Sequence, residues 1–211
     1  MRIVKTAEER KNEILDVAEQ LFAERGYDNA STNDIIKKIG IARGTLYHHF
    51  GSKEEILDAI VDRMTDECIE RSRSVIAEKN VPLLNRLTGA ILALNIDTAP
   101  GREVLEQIHK PQNALLHQKM HERLLDGVVP LITKLIEEGK DSGIFNTKYP
   151  REAAEMIMIY SGTAFDELAA ISPEETERKI RAFIFHVERI VGAKERSLEQ
   201  AMINIFKRKQ P

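Results

Sequence analysis

Residues 31–55 read STNDIIKKIGIARGTLYHHFGSKEE, from Ser31 to Glu55. Ser31 or Thr32 caps a short amphipathic run carrying Ile35, Ile36 and Ile39, and Gly40 stops it. A second short run covers residues 43–50 and closes at Gly51. Gly40-Ile41-Ala42 between them has the length and composition of the tight turn in a helix-turn-helix. Ser52 and Glu55 then form a capping-box pattern, which opens a longer helix through Ile56, Leu57, Ile60, Val61 and Met64. From Asp34 to Glu54 no acidic residue intervenes, whereas Lys37, Lys38, Arg43 and Lys53 are basic. Phosphate repels carboxylates, and counterion release favours lysine and arginine. The window therefore reads as a nucleic-acid surface rather than a merely solvated face. Leu46 and Phe50, four residues apart, belong to the core side, which leaves Tyr47 outward.

The same periodicity extends in both directions. Upstream, Thr6 with Glu9 makes a capping box, Ile14, Ala18, Leu21 and Phe22 recur on one face, and Gly26 ends the helix. Downstream, residues 53–79 form one long helix and residues 81–95 another, interrupted by Ala99-Pro100-Gly101. A short helix at 103–109 precedes a very long one at 111–141, in which Pro130 is expected to produce a kink. Helices follow at 150–171 and, capped by Ser172, at 173–191. Leu198, Ala201, Met202, Ile205 and Phe206 give a last amphipathic helix, trailed by Lys207, Arg208 and Lys209 and expected to pack on the protein body or a partner. Strand signals are almost absent. The expected fold is all-α with about nine to ten helices. Residues 1–52 form a three-helix DNA-binding domain, and residues 53–211 form a helical ligand-binding and dimerisation domain joined through the helix 53–79.

Composition limits the alternatives. The 211 residues hold 31 Lys+Arg against 34 Asp+Glu, a formal net charge of −3, so the case for nucleic acid rests on the local window alone. Cys68 is the sole cysteine, which excludes an intrachain disulfide and fits a reducing compartment. The first residues are charged and lack a signal peptide's apolar run, and no stretch of about 18 apolar residues occurs. A cytoplasmic protein without a membrane partner is expected. No nucleophile elbow, P-loop, dinucleotide fingerprint or helical His-Glu-x-x-His is present, so no catalytic residue is assigned and the chain is not read as an enzyme.

The block YDNASTNDIIKKIGIARGTLYHHFGSKEEIL closely resembles the N-terminal domain of TetR/AcrR-type transcriptional regulators. The shared frame runs through Gly26-Tyr27, Thr32, Ile35, Gly40, Gly44, Thr45, Leu46, Tyr47, His49, Phe50, Lys53 and Glu54. The resemblance implies that Thr32 caps the second helix and binds a phosphate. It implies that Arg43 reads a base, that Gly44 lets the helix approach DNA closely, and that Thr45 and Tyr47 bond phosphates. His48 and His49 would reach a phosphate or a base edge, and Lys53 would clamp a further phosphate at the start of its helix. Asn33 stands where an apolar or hydroxyl residue is more usual and adds a possible contact, while Ala42 replaces a common serine and removes one.

The resemblance also implies a homodimer paired through the last two long helices, a palindromic double-stranded operator, and a small-molecule effector in a pocket between helices over residues 81–171. Ala153-Ala154 and Ser161-Gly162-Thr163-Ala164 are small enough for close helix approach. His109, His117, Met120, Ile159, Thr163 and Asp166 are the candidate pocket residues. His117 and His121 have a spacing that could hold a metal, but their polar neighbours Gln118, Lys119, Glu122 and Arg123 mark surface groups, and no metal site or cofactor is assigned. The implied function is a ligand-responsive regulator, a repressor released from its operator by the effector. The alternatives are a corepressor-dependent or activating regulator of the same fold, or a metal-sensing helical protein.

Overall fold

The computed structural model describes residues 5–94, 99–165 and 172–199. Among them the chain forms nine α-helices and no strand. These are α1 (Ala7–Arg25), α2 (Thr32–Ile39), α3 (Arg43–His49), α4 (Lys53–Ala77), α5 (Leu83–Ala93), α6 (Ala99–Ile108), α7 (Ala114–Asp141), α8 (Pro150–Phe165) and α9 (Pro173–Val191). Ala99-Pro100-Gly101, expected to break the chain, instead lies in the first turn of α6, where proline's missing N–H has no helical acceptor to lose. Pro111–Asn113 forms a single 3-10 turn ahead of α7, and α7 itself runs unbroken through Pro130. The expected helix after Leu198 falls on residues 200–211, outside the described ones.

The chain divides into two compact units. The first comprises Met1–Glu67 and Ile96–Met120, and the second Cys68–Asn95 and His121–Pro211. That partition differs from a boundary after residue 52, because α6 joins the helix-turn-helix body. Its buried Val104 and Ile108 share the interior of the first unit with Ile14, Leu21 and Phe22 of α1. Glu103 Oε1 accepts the backbone N–H of Tyr27 at 2.8 Å, and Lys110 Nζ donates to Asp28 Oδ2 at 2.8 Å. Two polar ties thus hold α6 and its C-terminal end to the turn after α1.

The described residues of the second unit bury an apolar core. Ile69 and Ile76 of α4, Leu87 of α5, Ile132 and Ile136 of α7, Ile157 of α8 and Phe183 and Val187 of α9 all contribute to it. Ala153 and Ala154 are buried in this same core, so their small size serves packing within the subunit. Arg86 is 2% exposed, and its guanidinium bonds both oxygens of Glu138 and the carbonyls of Ile76 and Val81. A buried guanidinium is tolerated there because its donors find acceptors at the C-terminal end of α4 and across on α7.

Candidate nucleic-acid interface

The helix-turn-helix is built by local chemistry. Ser31 is the N-cap of α2: its hydroxyl accepts from Asp34 N at 3.2 Å, and Asp34 returns a carboxylate to Ser31 N at 3.0 Å. Thr32 is therefore the first helical residue and not the cap, a correction that follows from Asp34 standing three residues after Ser31. The hydrogen bonds from Ser31 hold the Asp34 carboxyl below its usual range, so the acid at the edge of the basic window is turned onto its own helix. Gly40 takes the left-handed conformation (φ 75°, ψ 36°), and its N–H closes α2 on Ile36 O. That conformation is strained for any side chain, and it lets the chain reverse within two residues into α3. Ala42 precedes α3 and provides no side-chain cap.

On α3, Leu46 is fully buried and Phe50 lies just beyond the helix in the same core. Their packing turns Arg43, Gly44, Tyr47 and His48 outward, with Thr45 and His49 at the margin. The Tyr47 hydroxyl lies 3.3 Å from that of Thr32, and the Arg43 guanidinium carbon is 5.3 Å from the Tyr47 ring centre. The hydrogen bond with Thr32, followed by Arg43, lowers the Tyr47 phenol below its ordinary value. Thr32, Arg43 and Tyr47 thus form one exposed hydrogen-bonding cluster across the two helices, with Asn33 exposed beside it on α2. The His48 and His49 rings meet edge to face at 5.3 Å. Such a surface offers donors to phosphate and, through Arg43 at the leading end of α3, to base edges.

Lys53 opens α4 with its ammonium on the segment between α1 and α2. Its ammonium donates to Tyr27 O at 2.8 Å and Ala30 O at 3.0 Å and lies 4.0 Å from the Tyr27 ring centre. Tyr27, a position of the shared frame, is its partner. The capping pattern ahead of it differs from the expected one: Glu55 N bonds Ser52 Oγ, but the Glu55 carboxylate reaches back to Gly51 N at 2.7 Å.

The candidate pocket residues are divided between the units, with His109, His117 and Met120 in the first and Ile159 in the second. His109 follows the last residue of α6 and is exposed, one position beyond the buried Ile108, with its ring 4.9 Å from that of His117. Met120 is buried, Ile159 is 54% exposed on α8, and the Thr163 side chain and all of Asp166 lie outside the described residues. The second unit instead holds a small apolar cavity of about 10 Å³, lined by Leu87 and Ile91 of α5, Ile132 and Ile136 of α7, Ile157 and Met158 of α8 and Val187 and Val191 of α9. Hydrophobic spacing on α5 and α7 could have suggested several of these, but core and pocket lining share that pattern. Among the described residues no group of three or more His, Cys, Asp or Glu is arranged to hold a metal ion, and no helix is long and apolar enough to cross a membrane.

Residues 14–60 match the family described as bacterial regulatory proteins, tetR family, and residues 97–185 match a tetracyclin repressor-like C-terminal domain. The HTH-type transcriptional repressor KstR2 of Mycobacterium tuberculosis (strain ATCC 25618 / H37Rv) is 37% identical over 92 residues, 44% of this chain and 46% of that protein. The chain thus spans under half the length of KstR2. The HTH-type transcriptional regulator UidR of Escherichia coli (strain K12) is 27% identical over 146 residues, 67% of this chain and 74% of that protein. The fold is shared with a solved TetR-family transcriptional regulator from Pectobacterium atrosepticum, with a TM-score of 0.61 at 21% identity over 96% of this chain and 93% of that one. A helix-turn-helix with an exposed, acid-free third helix and a helical second unit, matched by family models at both ends, identify this chain as a member of the TetR family of DNA-binding transcriptional regulators.

Proposed function

We propose that the protein is an effector-released repressor that binds a palindromic double-stranded operator as a homodimer in the cytoplasm. The observation that carries this reading is the exposed cluster of Thr32, Arg43 and Tyr47 in a window free of unpaired acid. Thr32, Asn33, Thr45, Tyr47, His48 and His49 contact phosphates or base edges, Arg43 reads a base, and Gly44 permits the approach. Two such helices address successive major grooves, roughly 34–36 Å apart, only when two copies are joined.

Met156, Ile159 and Tyr160 on α8 and Phe185 on α9 are large apolar side chains left exposed on the second unit. They are the dimer surface in this reading, since such residues together on one unit call for a partner. The effector is a small apolar molecule that enlarges the aliphatic cavity of the second unit, which now has room for about one water. No cofactor or metal is required. Release follows if the effector binds more tightly to a state of the dimer that fits DNA poorly, and its effect is limited by that difference in affinity.

The deciding experiment is selection of duplexes from random DNA by the full chain at two salt concentrations, beside Arg43→Ala. A palindrome that is recovered at low salt, weakens at high salt and blurs with the variant supports the reading. Binding that is indifferent to sequence and to salt defeats it.

A further inference from the structure

Lys37 and Lys38 are neighbours on α2, yet their ammonium groups are engaged differently. Lys38 is turned onto α1, where it donates to both oxygens of Glu24 at 3.2 and 3.4 Å. Glu24 is steadied for it by Gln20, whose side-chain amide donates to Glu24 Oε1 at 2.8 Å. Lys37 is exposed, and its side chain makes no hydrogen bond or ion pair among the described residues. The acid closest to it in sequence, Asp34, is already taken. That carboxylate accepts from the backbone N–H and the hydroxyl of Ser31 and lies 3.5 Å from the Arg25 guanidinium. Of the groups that hold it below its usual range, Lys37 contributes least.

The phase of α2 accounts for the difference. Ile35 is fully buried, and at about 100° per residue Lys38 stands roughly 60° from it, on the side that packs against α1. Asn33 and Lys37 each stand roughly 160° from Ile35 and share the outward stripe, one turn apart. Asn33 follows Thr32, whose hydroxyl lies 3.3 Å from that of Tyr47 on α3. Lys37 therefore carries the row of Thr32 and Asn33 one turn further along α2. The first helix of a helix-turn-helix crosses the nucleic-acid backbone, where an ammonium on a flexible stem acts as a point charge toward phosphate.

We propose that Lys37 is a phosphate ligand of the operator complex and that Lys38, one residue on, is not, because Glu24 keeps Lys38 on the protein. The inference rests on the operator reading above and adds to it a backbone contact on α2, beside those of α3. To reach a phosphate Lys38 must give up both bonds to Glu24, whereas Lys37 gives up none.

The test uses the full chain and the palindromic duplex recovered by selection, titrated over a series of salt concentrations with wild type, Lys37→Met, Lys37→Arg and Lys38→Met. A lysine on phosphate contributes about 0.9 to the log–log salt slope, so losing the pair in a dimer makes the slope shallower by about 1.8. That shallower slope is the expected result for Lys37→Met, with affinity at low salt down by about tenfold or more. Its preferences among single-substituted duplexes stay those of wild type, because a phosphate contact carries no sequence information. Lys37→Arg, which keeps the charge, retains the wild-type slope, and so does Lys38→Met. A wild-type slope for Lys37→Met, a slope as shallow for Lys38→Met, or a changed base preference overturns the assignment.

If Lys37→Met does not fold, acylation of the wild-type chain with acetic anhydride decides, read residue by residue by fragment mass spectrometry. The selected duplex is expected to slow the acylation of Lys37 and to leave that of Lys38 unchanged. Protection of both, of neither or of Lys38 alone refutes the assignment. A wild-type chain that selects no duplex sinks the operator reading and this one with it, a result told apart because no lysine variant enters it.

Discussion

The hydroxyls of Thr32 and Tyr47 lie 3.3 Å apart and join the first residue of α2 to the exposed face of α3. Tyr47 is anchored there by nothing in the core, since its neighbours Leu46 and Phe50 take the buried positions. The bond therefore orients a phenol that faces solvent. Tyr47→Phe is expected to leave the melting temperature within the small range of surface substitutions, about 0.5 kcal/mol, while weakening operator binding roughly tenfold. Thermal melts beside a duplex titration check this, and a loss of stability with intact binding would assign Tyr47 to the fold.

Gly44 separates the same two demands in another way. A Cβ placed there meets no atom within 4 Å, and the backbone is ordinary helix. Gly44→Ala is thus expected to melt at the same temperature or slightly higher, by up to about 0.5 kcal/mol. Its operator affinity falls at least about tenfold, because the new methyl occupies the space through which DNA comes close. An alanine variant that binds as well as wild type would show that α3 does not approach DNA at this position.

Arg43 leads α3 and is exposed, with no carboxylate bonded to it among the described contacts. Arg43→Ala is expected to cost about 1–3 kcal/mol on the selected palindrome and to relax preference at one base pair of each half-site. Competition against single-substituted duplexes reads this directly. Uniform weakening at every position would instead make Arg43 a phosphate ligand.

The second unit offers a prediction about acid. Arg86 and then Lys79 hold the Glu138 carboxyl at about 2, against an ordinary value of 4.5. Since the folded value lies below the unfolded one, the contribution to stability is complete above about pH 4.5 and disappears as pH falls toward 2. About a third of the Glu138 side chain is in water, so solvent screening limits the effect. Glu138→Gln is expected to lower the neutral-pH melting temperature by about 2–4 °C, on the order of 1 kcal/mol. The gap from wild type should close as acid is added. A constant gap down to pH 3 would show that Glu138 does not titrate with the fold.

Much of this molecule is legible in its amino-acid order. Periodic apolar residues and capping pairs announce the helices, because each is a short-range event: Ser31 with Asp34, Thr6 with Glu9 and Ser172 with Glu175 form their bonds within three residues. The outward face of α3 was readable for the same reason, since Leu46 and Phe50 claim the core four residues apart. Helix ends were less so: α4 stops at Ala77 and α6 begins at Ala99, where propensity is weak and packing decides.

By itself, then, the sequence determined an all-α chain with a helix-turn-helix and an acid-free recognition helix, since helical phase and charge depend only on neighbours along the chain. The tertiary structure decided where charges and cavities face. Where the Lys53 ammonium rests in the chain depends on Tyr27, 26 residues away in sequence, and the place of α6 depends on Glu103 reaching the same residue across 76. The aliphatic cavity draws on four helices at once, so the spacing along any one of them does not mark its lining. Contacts between segments so far apart are set by how the cores pack, and packing is a property of all the facing side chains together.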